Sequence, residues 1–348
     1  MEAPIHTKLK DLGPSPGVVF VRVVEIKEGR TRNDQPYFAL TVGDLSETLP
    51  ARIWADSAAF PIVRDLERGS VVKILGVRSN YQGRDQLEIH RIRPVQERDQ
   101  GLWSPDTVQG PGYDQVQDLF SDVLVFDIET VAVTIDIREM PQTIVKGITE
   151  VAQRKEWDIE KVLALNPLFS RVASIAVGSG EDDSRDCVLI APPQEELDRG
   201  LGDLPPWIRP MPEKEMLGAF WTLASQANTI VSFNGRGFDL PFLRTRSSIL
   251  DQPVFVDLLS QPPYQHSPHL DLYLILTGGG RGTAPMNLDA ACYAYGIESP
   301  KGAMDGSMVG HAYREKKFAD IAKYNLSDVI ATRALYQRLN STILTYLQ

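Results

Sequence analysis

The chain has 348 residues, 43% of them apolar and 24% charged, with a formal net charge of −10. These proportions suit a folded protein of about two domains and exclude wholesale disorder. They also argue against a protein that coats nucleic acid by bulk charge, and no run of 18 apolar residues is present, so no membrane span or membrane partner is expected. The start, MEAPIHTKLKDLG, lacks the apolar stretch of a signal peptide, which makes a cytoplasmic location the expectation. Cys187 and Cys292 stand in unrelated contexts, so neither a disulfide partner nor a cysteine metal cage is expected. The charge is unevenly spread: residues 1–100 hold 15 basic and 14 acidic side chains, the remainder 21 and 32.

In chain order, residues 17–93 read as five short strands: GVVFVRVVEIKEG, PYFALTVGD, TLPARIWA, SVVKILGVRS and QLEIHRIRP. Gly, Asn and Asp turns separate them, the pattern of a small all-β barrel, and residues 1–95 form the first expected domain. The polar, Pro- and Gly-rich stretch over 96–120 reads as a linker. From 121 to 348 the texture alternates. VLVFDIET, VASIAVGS, CVLIAP and TIVSFNG look like strands, and helical patterns cover 213–226, 238–249, 287–296 and 318–339. That alternation predicts an α/β or α+β domain. A mainly helical insertion is expected over 134–168.

In PYFALTV the apolar set Phe38, Leu40 and Val42 must face the barrel interior, which turns Tyr37 outward. In TLPARIWA the set Leu49, Ala51, Ile53 and Ala55 does the same, leaving Arg52 and Trp54 outside. Arg30 and Arg32 precede the second strand, and Tyr81 and Arg84 precede the last. Such outward side chains either pack on a second domain or stack on bases and meet phosphates. The strings EGRTRNDQPYFALTVGD and NYQGRDQLEIHRIR resemble the OB-fold nucleic-acid-binding domain that precedes the catalytic domain in YhaM-type 3′–5′ exoribonucleases. The likeness covers about 75 residues and implies nucleic-acid contact by Arg30, Arg32, Tyr37, Arg52, Trp54, Tyr81 and Arg84.

The second half carries three acidic elements. Asp127 and Glu129 are two apart on an apolar strand and so project from one face, where two carboxylates repel unless cations hold them. Asp239 falls in the first turn of a helix, a position that the helix dipole also favours for structural reasons alone. Tyr324 and Asp328 are four apart and share a helix face. Singly, each has an ordinary explanation in solvation, capping or packing.

Together, D-I-E, N-G-x-x-F-D and Y-x-x-x-D resemble the three motifs of the DEDD exonuclease superfamily (DnaQ-like, RNase H-like fold). Lys323 stands where the sister branch has histidine, so the tyrosine-bearing DEDDy branch is the match. ALNPLFSRVASIAVG, HLDLYLIL, MNLDAACYAYGI and AMDGSMV are similar to the group related to the exonuclease domain of family B DNA polymerases, over about residues 122–340. The resemblance implies an N-terminal OB-fold barrel followed by an α/β RNase H-like domain with a mixed sheet. It also implies a 3′–5′ exonuclease that releases nucleoside 5′-monophosphates from single-stranded DNA or RNA with a free 3′ end.

By the resemblance, Asp127, Glu129, Asp239 and Asp328 hold two divalent cations, Mg²⁺ or Mn²⁺, and Tyr324 orients the attacking water. Four carboxylates balance two such ions in charge, and oxygen donors suit hard cations. Asn234 either contacts substrate or caps its turn; Asp271 and Asp289 either support the metal-holding acids from behind or are structural, and the structural reading is preferred. Asp305 has no role that chemistry assigns. Two further functions are an inert nuclease fold serving as a nucleic-acid-binding adaptor, and an oligoribonuclease-like enzyme acting on short oligonucleotides. Protein partners are not legible in the sequence.

Overall fold

In a computed structural model, which describes residues 4–133, 136–262, 265–280, 287–300 and 304–346, the chain divides into two units, Met1–Asp114 and Gln115–Gln348. Residues 134–135 of the expected insertion, and Met286 and Ala303 of two of the quoted segments, lie outside the described residues. Among those described, no helix is long and apolar enough to cross a membrane.

Strict alternation builds the first unit. β1 (Gly17–Arg30), β2 (Pro36–Gly43), β3 (Thr48–Trp54), β4 (Val71–Tyr81) and β5 (Arg84–Pro94) form one antiparallel sheet in the order β3-β2-β1-β4-β5. β3 and β5, at its two edges, also approach each other. Phe38, Leu40, Val42, Leu49, Ala51 and Ile53 are buried in the core with Val19, Val21, Val72, Ile74 and Leu87. One expectation fails: the chain turns after Trp54, so Ala55 leaves the alternating register and is exposed. A short helix, α1 (Phe60–Arg64), joins β3 to β4 and buries Val63.

The polar stretch over 96–120 contains short turns, among them α2 (Pro105–Val108) and α3 (Tyr113–Val116). Several of its polar groups are paired. Asp99 is buried and accepts from Arg93 at 2.6 and 2.8 Å and from Lys73 at 3.2 Å, which holds its carboxyl well below the usual range. The side chain of Gln109 donates to the Gly69 carbonyl at 2.8 Å, and the Gln109 backbone carbonyl accepts from Arg22 at 2.9 Å.

The second unit is a mixed sheet between helices. Its strands are β6 (Val123–Ala132), β7 (Ser170–Ser179), β8 (Cys187–Ile190), β9 (Ile208–Pro210), β10 (Thr229–Ser232) and β11 (His269–Asp271), in the order β11-β10-β6-β7-β8-β9. β6 pairs antiparallel with β7 and parallel with β10. β9 and β11 were not read from sequence, because three residues are too few to show an alternating pattern. The helices are α4 (Gln142–Lys155), α5 (Ile159–Ala164), α6 (Gln194–Arg199), α7 (Glu213–Gln226), α8 (Asp239–Ile249), α9 (Leu272–Leu276), α10 (Leu288–Tyr295), α11 (Val309–Arg314) and α12 (Phe318–Thr342).

The two faces of β6 enter different cores. Leu124, Phe126 and Ile128 join Phe220, Trp221 and Phe242 of α7 and α8. Val125 joins Ala176, Val188, Val231 and the buried side of α12. By the two-residue period of a strand, Asp127 and Glu129 continue the Val125 face, toward α12. Placement of the first two acids is therefore a consequence of strand geometry.

Candidate active site

Asp127, Glu129 and Asp328 each offer a carboxylate oxygen within 4.8 Å of the others, although 199 residues separate Glu129 from Asp328 along the chain. Asp239 opens α8 and is 5% exposed. Its Oδ1 accepts from the Ile128 N–H at 3.3 Å, between the two strand acids. The structure thus brings Asp127, Glu129 and Asp328 together and sets Asp239 against the backbone between the two strand acids. Tyr324 lies one turn before Asp328 on α12 and feels the charges of Glu129, Asp328 and Asp127.

These carboxyls resist ionisation. Burial, then the charges of Asp239, Asp328 and Glu129, push Asp127 well above the ordinary carboxylate range. Glu129 rises for the same reasons, burial first and then Asp328 and Asp239. Asp239 is raised to about 7, mainly by burial, against the opposing pull of backbone N–H groups. Burial and the neighbouring carboxylates push the Tyr324 hydroxyl upward too, so it keeps its proton at neutral pH. Like charges in a buried setting favour protonation unless a cation compensates them. All donors here are oxygens, the ligand type that suits Mg²⁺ and Mn²⁺ rather than zinc.

Sequence reasoning missed Asn325. Fully buried on α12, it donates to Asp127 Oδ2 at 2.7 Å and accepts from Ser174 Oγ of β7 at 2.9 Å. The amide fixes the Asp127 carboxylate against the sheet. Its spacing was a usable signal, since residue 325 sits one turn before Asp328 and an asparagine is costly on the core side of a helix unless it is paired.

Other candidates serve the frame. Asp271 accepts backbone N–H bonds from Asn234 at 2.8 Å, Arg236 at 2.9 Å and Tyr273 at 3.0 Å, which pins the turn between β10 and α8. Asn234 is exposed in that turn with φ of 62°, a left-handed conformation that asparagine tolerates better than most residues. Asp289 accepts from Ser299 at the start of α10. Asp305 caps the turn over Gly306–Met308 and accepts from the Ser307 N–H at 2.8 Å. Its charge reaches Tyr324, and a Cβ on Gly306 would lie 3.8 Å from the tyrosine hydroxyl.

In the first unit the outward residues fall into two groups. Tyr37 and Trp54 are cross-strand partners with ring centroids 5.5 Å apart, and Arg52 lies 5.8 Å from the Tyr37 centroid. Trp54 is 45% exposed. The Tyr37 ring lies against Gly29, where a Cβ would come within 2.6 Å of it, so a side chain there would displace the ring. Arg30 ends β1 and Arg32 lies in the adjoining β1–β2 connection, where Asp34 pairs with Arg30 at 3.0 Å. Tyr81 and Arg84 close the β4–β5 hairpin elsewhere. Arg78 of that hairpin pairs with Asp85 of β5 and with Glu47 at the β2–β3 turn. Tyr37 and Glu47 mark opposite ends of the β2–β3 hairpin, about 20 Å of strand apart.

A family model described as a predicted 3′-5′ exonuclease related to the exonuclease domain of PolB matches residues 169–344. The match takes in Asp239, Tyr324, Asn325 and Asp328, while Asp127 and Glu129 precede it and join the group through the sheet. No curated protein matches the chain. Among solved structures, the chain is similar to the family B DNA polymerase of Pyrobaculum calidifontis, at 16% identity and a TM-score of 0.41 over 92% of this chain and 46% of that one. It is also similar to a chain of a replication protein A heterotrimer bound to ssDNA, at 20% identity and a TM-score of 0.20, over 24% of this chain and 60% of that one. The second OB-fold domain of replication protein A from Methanococcus maripaludis aligns at 15% identity and a TM-score of 0.22, over 27% of this chain and 96% of that one. This chain therefore spans under two thirds of the first two of these chains.

Proposed function

The chain belongs to the family of predicted 3′-5′ exonucleases related to the exonuclease domain of PolB, and we propose that it hydrolyses single-stranded nucleic acid from the 3′ end to nucleoside 5′-monophosphates, using two divalent cations. The observation that carries this reading is the approach of Asp127, Glu129 and Asp328 to within 4.8 Å. A half-buried trio of like charges is held at a cost unless cations join it.

Asp127, Glu129 and Asp328 would hold one Mg²⁺ or Mn²⁺, with Asp127 shared and Asp239 assisting at the second. Bound divalent cations would supply Lewis-acid stabilisation of the phosphate and a more acidic water. Tyr324 keeps its proton, so its hydroxyl orients the attacking water by hydrogen bond and does not serve as the base. Asn325 holds Asp127 in the orientation that its task requires. Asn234 sets the turn that delivers Asp239.

In this reading the second unit is an RNase H-like domain of the tyrosine-bearing DEDDy type, over 121–348, with the insertion at 134–168. The first, over 1–95, is an OB-fold barrel like that of YhaM-type exoribonucleases, joined through 96–120. Tyr37, Trp54 and Arg52, with Arg30 and Arg32, would stack bases and meet phosphates of a strand whose 3′ end enters the acidic site. Tyr81 and Arg84 would form a second contact patch. The test is to incubate the purified protein with end-labelled ssDNA, dsDNA and ssRNA in Mn²⁺ or EDTA and to read the product ladders. Mn²⁺-dependent shortening of single strands from the 3′ end is expected; endonucleolytic products, or none, would overturn the assignment.

A further inference from the structure

A groove of about 650 Å³ lies between the α4–α5 helical hairpin and Phe238, which immediately precedes Asp239. Its walls include Ile144, Gly147, Trp157, Leu165 and Phe169. Both sides of the groove connect to the acidic centre, one in sequence and one through a hydrogen bond. One is Phe238. The other is Leu165, which follows Ala164, whose carbonyl accepts from Thr130 Oγ1 at 2.9 Å, and Thr130 is next to Glu129. None of the described residues lining the groove is acidic, although the chain carries a net charge of −10. Among the described residues the one charged lining residue is Lys155, whose ammonium lies 4.3 Å from the Trp157 ring centroid. Lys161 lies 4.7 Å from the same ring, and among the described residues neither ammonium forms an ion pair, Asp158 accepting only from the Lys161 backbone N–H.

Apolar and aromatic walls with a cationic rim complement a nucleobase and its phosphate, and the volume is within the range of small-ligand sites. We propose that this groove binds a base of the substrate strand beside the scissile phosphate, with the neighbouring phosphate near Lys155. The α4–α5 insertion is then part of the substrate site. This inference rests on the exonuclease reading above and assigns a place to the strand within it.

Gly147 makes the inference testable. It lies within α4 and lines the groove, and a Cβ built there meets no atom within 4 Å. Gly147→Trp would therefore fill the groove from a helix that tolerates the change. The experiment compares Mn²⁺-dependent hydrolysis of a short single-stranded oligonucleotide with that of versions carrying an abasic residue at the last or the penultimate position. Stacking strengths of this class predict a rise in KM of roughly ten-fold for Gly147→Trp on the intact strand. One of the abasic strands should lose a similar factor with the wild-type protein and little more with the variant. An unchanged KM for Gly147→Trp, or losses that simply multiply, would overturn the groove assignment while leaving the exonuclease reading standing. A wild-type protein that cleaves no intact strand would defeat the exonuclease reading itself. Lys155→Ala is the second variant; it should raise KM by a smaller factor that shrinks further in high salt, and no rise would count against the groove even if Gly147→Trp failed to fold.

Discussion

In the N-terminal unit the unusual side chains stand outside the core. Trp54 and Tyr37 lie against each other on the sheet surface, and the interior of Leu40, Val42, Ala51 and Ile53 is complete without them. In the C-terminal unit the unusual side chains sit inside. Asp127 shares its strand face with Val125 of the core and meets a buried asparagine. An exposed tryptophan forgoes about 1.5–3 kcal/mol of burial, whereas a buried carboxylate without a cation costs more, or takes up a proton. The first arrangement folds the same way whether or not it binds anything. The second is under electrostatic strain that a divalent cation relieves.

This contrast fixes the order of expected effects. Asp127→Ala removes the carboxylate placed centrally among the four and should reduce hydrolysis by 1,000-fold or more, on the order seen when a site loses an essential charge, with the fold retained. Residual activity above that level, measured by product release in Mn²⁺, would break the assignment. Tyr324→Phe keeps the ring packing and loses the hydroxyl; kcat should fall roughly 100-fold with KM nearly unchanged. Asn325→Ala leaves Asp127 without its amide donor, and activity at low Mn²⁺ should fall about 10–100-fold, recovering in part as metal is raised. In the N-terminal unit, Trp54→Ala should weaken binding of long single strands about ten-fold and leave dinucleotide cleavage almost unaltered. Equal losses on both substrates would erase the distinction between the two units.

The same contrast has a pH signature. The Asp239 carboxyl is raised to about 7 in the fold, so the folded protein holds a proton that the unfolded chain releases near pH 4. Its contribution to stability is complete below pH 4 and is lost as pH rises through about 7. In EDTA the melting temperature should therefore decline between pH 5 and pH 8, by several degrees. Asp239→Asn should flatten the decline, and Mn²⁺ should reverse it. A melting curve indifferent to pH and metal would show that the acids are not under strain.

Much of this was legible in the sequence, for identifiable reasons. Period-two alternation exposed Tyr37, Arg52 and Trp54 because their strand neighbours had no alternative to the core. Asp127 and Glu129 were legible for the same reason, and the spacing of Tyr324 and Asp328 fixed their shared helix face. Ala55 misled, because alternation says nothing about where a strand ends. Asn325 was hidden because its partners, Asp127 and Ser174, lie 198 and 151 residues away. The separation of Tyr81 and Arg84 from the Tyr37–Trp54 pair depends on strand register, which the pattern of single strands does not contain. The groove at Phe238 is a property of three distant segments meeting, so no local motif marks it.

The central claim is that the half-buried carboxylates at the β6–α12 contact hold divalent cations. Calorimetric titration of the metal-free protein with Mn²⁺ tests it directly, with Asp127→Asn alongside. Two ions bound by the wild-type protein, with proton release near neutral pH and with binding lost in the variant, is the expected result. Failure of the wild-type protein to bind Mn²⁺, or equal binding by Asp127→Asn, would contradict it.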